Sequence, residues 1–272
     1  MNLPLPLVPV IAFAAEYIDS SLGMGYGTTL VPVLMLFGCS PLLLVPAVLL
    51  SELFTGLLAA ILHHRNGNVH FDFSRDRSHP VAARLGKLGY VPRSLDSRIA
   101  LLLALCSFVG ATVSVFVAVN IPAALAGLVI GVVVLAMGIL ILYRRKRKSA
   151  FSWRKITVLG TVAAFNKGLS GGGYGPLVTA GQILSGVDTK SSVAITSLSE
   201  SITCFVGFLA YLALGTSFDL KLIILLLVGA MAAVPFATRT VKLLPGKQFM
   251  VIVGICTTAL GILTILKAIP KL

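Results

Sequence analysis

The sequence predicts an all-α integral membrane protein built from two homologous halves. Three observations predict it: too few charges for a water-covered surface, apolar runs of spanning length, and a motif that recurs at a constant offset. Of 272 residues, 57% are hydrophobic and 11% charged, and the mean hydropathy is +0.99. A soluble domain carries about 25% charged residues, so most of this surface must meet something other than water. Leu101 to Tyr143, Leu220 to Phe236 and Met250 to Leu266 carry almost no charge, and roughly 20 apolar residues suffice for a helical span. Finally, at an offset of 148, Gly25-Tyr26-Gly27 falls on Gly173-Tyr174-Gly175, Gly38 on Gly186, Ser51-Glu52 on Ser199-Glu200 and Thr55 on Thr203. That spacing marks an internal duplication.

The expected organisation is a first transmembrane repeat over residues 1–143 containing a basic loop at 64–98, a basic linker at 144–152, and a second repeat over 153–272. The opening MNLPLPLVPVIAFAAEYIDSS lacks a basic stretch ahead of its apolar residues, which argues against a cleaved signal peptide. Each half then begins with a segment unsuited to one ordinary span. Leu3 to Phe37 is about 35 residues, or about 50 Å if helical throughout, against a hydrocarbon core of about 30 Å. Trp153 to Ser185 is of similar length and is interrupted by Ser170-Gly171-Gly172-Gly173-Tyr174-Gly175-Pro176, a run expected to break a helix.

Three apolar segments follow each break: Leu42 to Leu62, Ile99 to Val117 and Ala123 to Tyr143, then Ser191 to Leu212, Leu220 to Ala237 and Phe249 to Leu266. If all eight units cross, the halves are parallel. If each broken segment is a re-entrant hairpin, six units cross, the halves are inverted repeats and both termini lie outside. Charge placement favours the second arrangement. Of 22 basic residues, seven lie between Arg65 and Arg98, seven between Arg144 and Lys155, and three between Arg239 and Lys247. Only the six-crossing solution puts all three blocks on the cytoplasmic side, where Lys and Arg accumulate. The same placement explains the net charge of +13 without nucleic acid.

The glycine-rich breaks are the leading functional candidates. A broken helix exposes N–H groups and a positive dipole end, which can hold an anion where the backbone faces protein or a cavity. The first break offers Gly23, Gly25, Tyr26, Gly27 and Thr28; the second offers Ser170, Gly171, Gly172, Gly173, Tyr174 and Gly175, with Asn166 and Lys167 one turn ahead. Small residues also permit close helix packing, so binding and packing both remain open. GGGYG lacks the strand context of a dinucleotide fingerprint, and no phosphate loop is present.

Lys167 lies between an apolar stretch and the glycine run; it is either a counter-charge for an anion or a residue that snorkels to the surface. Glu52 and Glu200 occupy matched positions and are candidates for proton transfer or for structural pairing with Lys167 or a hydroxyl. Glu16 and Asp19 have no matched acids, since Ala164 and Lys167 take those positions. Asp19 is either a partner for Lys167 or a cap for a half-helix. His63, His64, His70 and His79 read as an interfacial loop feature rather than a metal site, and Cys39, Cys106, Cys204 and Cys256 as small apolar packing residues. No cofactor is expected, and no HExxH or GxSxG motif supports an enzyme.

The two GYG breaks, and above all Asn166-Lys167-Gly168-Leu169-Ser170-Gly171-Gly172-Gly173-Tyr174-Gly175-Pro176, resemble the TauE/SafE sulfite-exporter family of bacterial and archaeal inner-membrane proteins. The resemblance covers essentially the whole chain. It implies transport of small sulfur-containing anions such as sulfite or sulfoacetate, without an ATPase partner and with proton coupling. It places the family motif on Asn166, Lys167, Ser170 to Gly175 and Gln182, and on Gly23 to Gly27 in the first half. Gly23-Met24-Gly25 stands where the second half has Gly171-Gly172-Gly173, and Thr28 where it has Pro176. A perfectly two-fold site is therefore not expected. The other readings are an anion channel and a non-transporting membrane protein, either a lipid-modifying enzyme or an assembly factor.

Overall fold

A computed structural model describes residues 6–37, 39, 41–75, 80, 84, 90–117, 123–144, 150–170, 172–213, 215 and 218–269. Its elements in the first half are α1 (Leu7–Leu22), α2 (Tyr26–Leu36), α3 (Pro41–Arg65), β1 (Phe73–Arg75), β2 (Tyr90–Pro92), α4 (Leu95–Val117) and α5 (Ala123–Arg144). The second half contributes α6 (Trp153–Ser170), α7 (Tyr174–Leu184), α8 (Thr189–Ala213), α9 (Leu220–Leu243) and α10 (Gly246–Ala268). The basic loop holds a feature that its charge pattern did not predict: β1 and β2 pair antiparallel, with Phe73 opposite Pro92 and Arg75 opposite Tyr90.

Among the described residues, Leu43–Arg65, Thr189–Ala213, Leu220–Leu243 and Gln248–Leu266 are long and apolar enough to cross a membrane. Polarity is distributed as a lipid-embedded protein requires. Val10, Leu105, Phe108, Val109 and Ile139 point outward, whereas Glu16, Glu52, Lys167 and Glu200 are buried. The outward apolar area matches lipid, and the polar groups find their partners inside.

Helix α1 stops because Gly23 takes a left-handed conformation (φ 70, ψ 29) and returns its N–H to the Asp19 carbonyl, a helix end that glycine makes without a Cβ penalty. In the second half Gly173 is left-handed (φ 79) immediately before α7. Pro176 does not contribute to the interruption: it sits in the first turn of α7, where its missing N–H would have no helical partner anyway.

Residue pairs fix the helix directions. Pro9 lies against Gly229 and Tyr17 bonds Thr240, while Thr55 bonds Glu16 and His63 bonds Ser20, so α1 runs alongside α3 and α9 in the same sense. Tyr26 then bonds Ser51 near the middle of α3, and α2 packs back along α3 with its own apolar residues in the cluster that holds Leu44 and Ala47 near the start of α3. In the second half Gly160 and Gly168 lie against Leu103 and Ser114, so α6 runs with α4. Asp96 meets Ser191 and Ser107 meets Thr203, so α4 and α8 also run together. Helix α7 returns: Gln182 bonds Thr196 and Ser192 near the start of α8, and Gly181 lies against Leu159.

The tightest pairs cross between halves. Helix α1 packs on α9, α4 on α6, α3 on α8 and α5 on α10. At the last of these, a Cβ on Gly138 would overlap Thr258 and one on Gly261 would overlap Leu135, so the two backbones are in contact over several turns.

Candidate functional site

The two interruptions meet. Thr179 on α7 donates its hydroxyl to the Gly23 carbonyl at 2.8 Å and also bonds Thr196 at 2.9 Å. A Cβ on Gly175 would overlap the Gly23 carbonyl and Met24, and one on Gly172 would press on Gly27 and Thr28. Asn166 holds the Gly172 carbonyl through its amide at 2.9 Å. The glycines at these positions therefore permit backbone contact between the halves in this conformation.

Beside this junction sits Lys167, 1% exposed. Its ammonium pairs with Glu52 of α3 at 2.5 Å and Glu200 of α8 at 2.8 Å. The surface-seeking alternative for Lys167 is thus wrong: its position in α6 faces the two acid-bearing helices, and an unpaired ammonium inside a membrane would be far costlier than this pairing. Glu52 also accepts the Gly27 N–H at 3.2 Å and the Cys204 thiol at 3.4 Å. Asp19 does not pair with Lys167; its carboxylate accepts the Tyr26 N–H at 3.2 Å. The cap reading of Asp19 fits this bond, with α2 as the helix capped. The first two N–H groups of α2 thus already meet carboxylates, where an anion is favoured by the helix dipole.

Tyr26 and Tyr174 fall on each other at the sequence offset but are bonded differently: Tyr26 shares a hydrogen bond with Ser51 at 2.8 Å, whereas the buried Tyr174 hydroxyl has no hydrogen-bond partner among the described residues. The second half has no carboxylate at the matching cap position, and α7 begins without a side-chain cap. Among the described residues, Thr28 Oγ1 and Glu200 Oε2 are buried without a hydrogen-bond partner. Gln182 stands further along α7, where it braces α8 through Ser192 and Thr196 rather than joining the Lys167 cluster. Gly171 and the Ser170 side chain fall outside what the structure describes.

The partners of several residues escaped the sequence reading. Glu16 is 1% exposed and accepts hydrogen bonds from Ser20 at 2.6 Å and Thr55 at 3.1 Å. Cys204 is more than a packing residue, because its thiol reaches Glu52. A helical signal existed for both: Ser20 follows Glu16, and Cys204 follows Glu200, by one turn on the same face. His63 is not an interfacial loop residue either. It is fully buried, its Nε2–H donates to the Ser20 carbonyl at 3.0 Å, and its Nδ1 accepts the Asn68 amide at 2.9 Å. A carbonyl only accepts and an amide N–H only donates, so these partners define a neutral ring used as a tie. His79 lies outside the described residues. A separate hollow of about 400 Å³ opens where α3 ends and α4 and α8 begin, lined by His64, Asn68, His70, Asp96, Asp188 and Lys190 among others. No group of three or more metal-ligating side chains occurs among the described residues.

A family model described as sulfite exporter TauE/SafE matches residues 8–75 and 81–264. The chain is also similar to the probable membrane transporter protein YtnM of Bacillus subtilis (strain 168), with 25% identity over 259 residues covering 90% of this chain and 77% of the relative. No solved structure matches it significantly.

Proposed function

The chain belongs to the sulfite exporter TauE/SafE family, and from that premise we propose that this membrane transporter carries sulfite or a related small organosulfur anion across the cytoplasmic membrane by alternating access. The observation that carries the proposal is the convergence of both interruptions, one from each half, beside a single buried ammonium. Substrate binds at this junction when the hairpins part, held by N–H groups of the α7 end, the Thr28 hydroxyl and Lys167, with one glutamate yielding its place on the ammonium. Glu52 and Glu200 keep Lys167 charged and in place between turnovers.

The helix directions support inverted repeats with re-entrant hairpins. Contacts exchange in pairs when the halves are swapped: α1 on α9 corresponds to α6 on α4, and α3 on α9 to α8 on α4. The Asn68 to Thr238 and Lys190 to Lys242 bonds also gather the ends of α3 and α9 with the start of α8 at one face, which supports a cytoplasmic face bearing all three basic blocks. Direct backbone contact at Gly23 and Gly175 supports a carrier over a permanently open channel.

Uptake of labelled sulfite into proteoliposomes tests the proposal. Saturable flux, accelerated by unlabelled sulfite on the opposite side, is expected, and its loss in Lys167→Met is expected too. Flux that rises linearly with concentration and shows no counterflow would replace the carrier with a channel. An interior-negative potential contributes about 2.3 kcal/mol per charge per 100 mV to anion export, so imposed potentials should change the net direction of flux.

A further inference from the structure

Four carboxyl groups, Glu16, Asp19, Glu52 and Glu200, are buried with one ammonium, Lys167, among the described residues. The acids already outnumber the cation, and an entering anion adds a further negative charge, which a proton taken up by one of the acids offsets in a low-dielectric interior. The bonding of each acid separates them. We propose that Glu16 is the proton-carrying residue of the transport cycle, and that Glu52 and Glu200 stay ionised as the counter-charges of Lys167; this rests on the reading of the chain as an anion carrier.

Glu16 bonds only to hydroxyls in the hydrogen bonds the structure gives it, Ser20 Oγ on one oxygen and Thr55 Oγ1 on the other. A hydroxyl donates or accepts by rotation, so both contacts survive when Glu16 changes from acceptor to donor. Thr55 lies inside α3, where its own hydrogen can turn to a carbonyl one turn back. Glu52 is held differently. Its donors are an ammonium, a backbone N–H and a thiol, and the first two cannot accept, so a proton on Glu52 would set hydrogen against hydrogen. Glu200 meets the same ammonium through Oε1, while its Oε2 lacks a partner among the described residues, so a proton there gains no bond. Asp19 accepts a backbone N–H at Oδ1, and no hydroxyl bond of the kind that holds Glu16 is given to it, so a proton there has no partner that can turn from donor to acceptor.

The position of Glu16 suits charge compensation. Thr55 and Glu52 lie one turn apart on α3, so a proton on Glu16 removes a negative charge next to the Lys167 cluster without breaking that cluster's bonds. The titratable groups that face Glu16 are Asp19 on its own helix, Tyr26 on α2, Glu52 on α3 and Glu200 on α8. The duplication supplies no second copy, because Ala164 occupies the matching position. The transporter therefore carries one such proton site. The step is a simple exchange: water on the open side gives a proton to the Glu16 carboxylate, and after reorientation the proton returns to water on the other side.

The test uses the full chain in proteoliposomes. Luminal pH is followed with sulfite and, because sulfite itself binds protons, with methanesulfonate, while infrared spectroscopy reads the C=O stretch of protonated carboxylic acid. Wild type should show proton movement with the anion and an acid band that titrates with pH. Glu16→Gln should lose both, and Glu52→Gln should keep the band. Should Glu16→Gln not fold, Thr55→Val must shift the same band, since it removes one of its two partners. An unchanged band in Glu16→Gln or in Thr55→Val, proton movement that survives Glu16→Gln, or anion flux driven by a sodium gradient instead of protons would overturn the assignment. If wild type moves none of the tested anions, the transport reading fails, while the infrared band still decides whether Glu16 holds a proton.

Discussion

Thr179 and Gly23, 156 residues apart in sequence, share a buried hydrogen bond of 2.8 Å that joins the middle of α7 to the residue that ends α1. Replacing Thr179 by Val leaves the Gly23 carbonyl without that donor inside the protein, at a cost of about 1–3 kcal/mol. Thermal unfolding in detergent should show the loss, and Thr179→Ser should recover most of it. Equal stability of the Val and wild-type proteins would mean that another group satisfies the carbonyl.

Gly175→Ala should impair the protein severely, because the new methyl meets the backbone of Gly23 and Met24 rather than a side chain that can turn away. Overpacking of this kind costs about 1–3 kcal/mol. Gly67, with nothing within 4 Å of its added Cβ, serves as the comparison: Gly67→Ala should cost only its backbone strain. The two variants can be ranked by yield of folded monodisperse protein and by melting temperature.

Lys167→Met removes the one cation between Glu52 and Glu200 and should destabilise by about 3–5 kcal/mol, since buried charges are left unpaired. Adding Glu52→Gln and Glu200→Gln to Lys167→Met should restore much of the melting temperature but none of the sulfite flux. Restored flux in the triple variant would remove the ammonium from the substrate site.

Sidedness is tested by cysteine accessibility in a variant lacking the four native cysteines. In intact cells an impermeant thiol reagent should label Gly215→Cys, in the turn after α8, and not Gly67→Cys, in the turn after α3. Labelling of both or of Gly67→Cys alone would reverse or cancel the proposed topology.

The all-helical membrane character was legible from composition and run length alone, because few charges and apolar stretches of spanning length leave no other solution. Lys167 announced itself because a cation between an apolar run and a glycine run needs a partner, but spacing left Asp19 and the matched glutamates open as that partner, and the glutamates take it. The partition of the acids was not legible. Asp19 and Glu16 stand one turn apart on α1, yet one bonds a backbone N–H and the other two hydroxyls, a difference set by which neighbouring helix each faces. His63 was misread for a similar reason: its burial depends on Asn68 folding back over it, a tertiary event with no trace in local hydropathy. The β1 and β2 ribbon was hidden by the charge of its loop, where strand length is only three residues.

Helix α9 is the partner of α1, yet more than 200 residues separate their starts. During synthesis the first half therefore enters the bilayer before its own neighbours exist. Glu52 is translated well ahead of Lys167, and α1 must wait for nearly the whole chain to be made. The closest packing of α1 is with α9 and that of α6 is with α4, so helices distant in sequence must meet before either is covered. Such distant pairings make assembly late and cooperative. A polypeptide ending at residue 143 would be left as a degradation substrate, while the two halves produced together from separate messages should find each other and assemble.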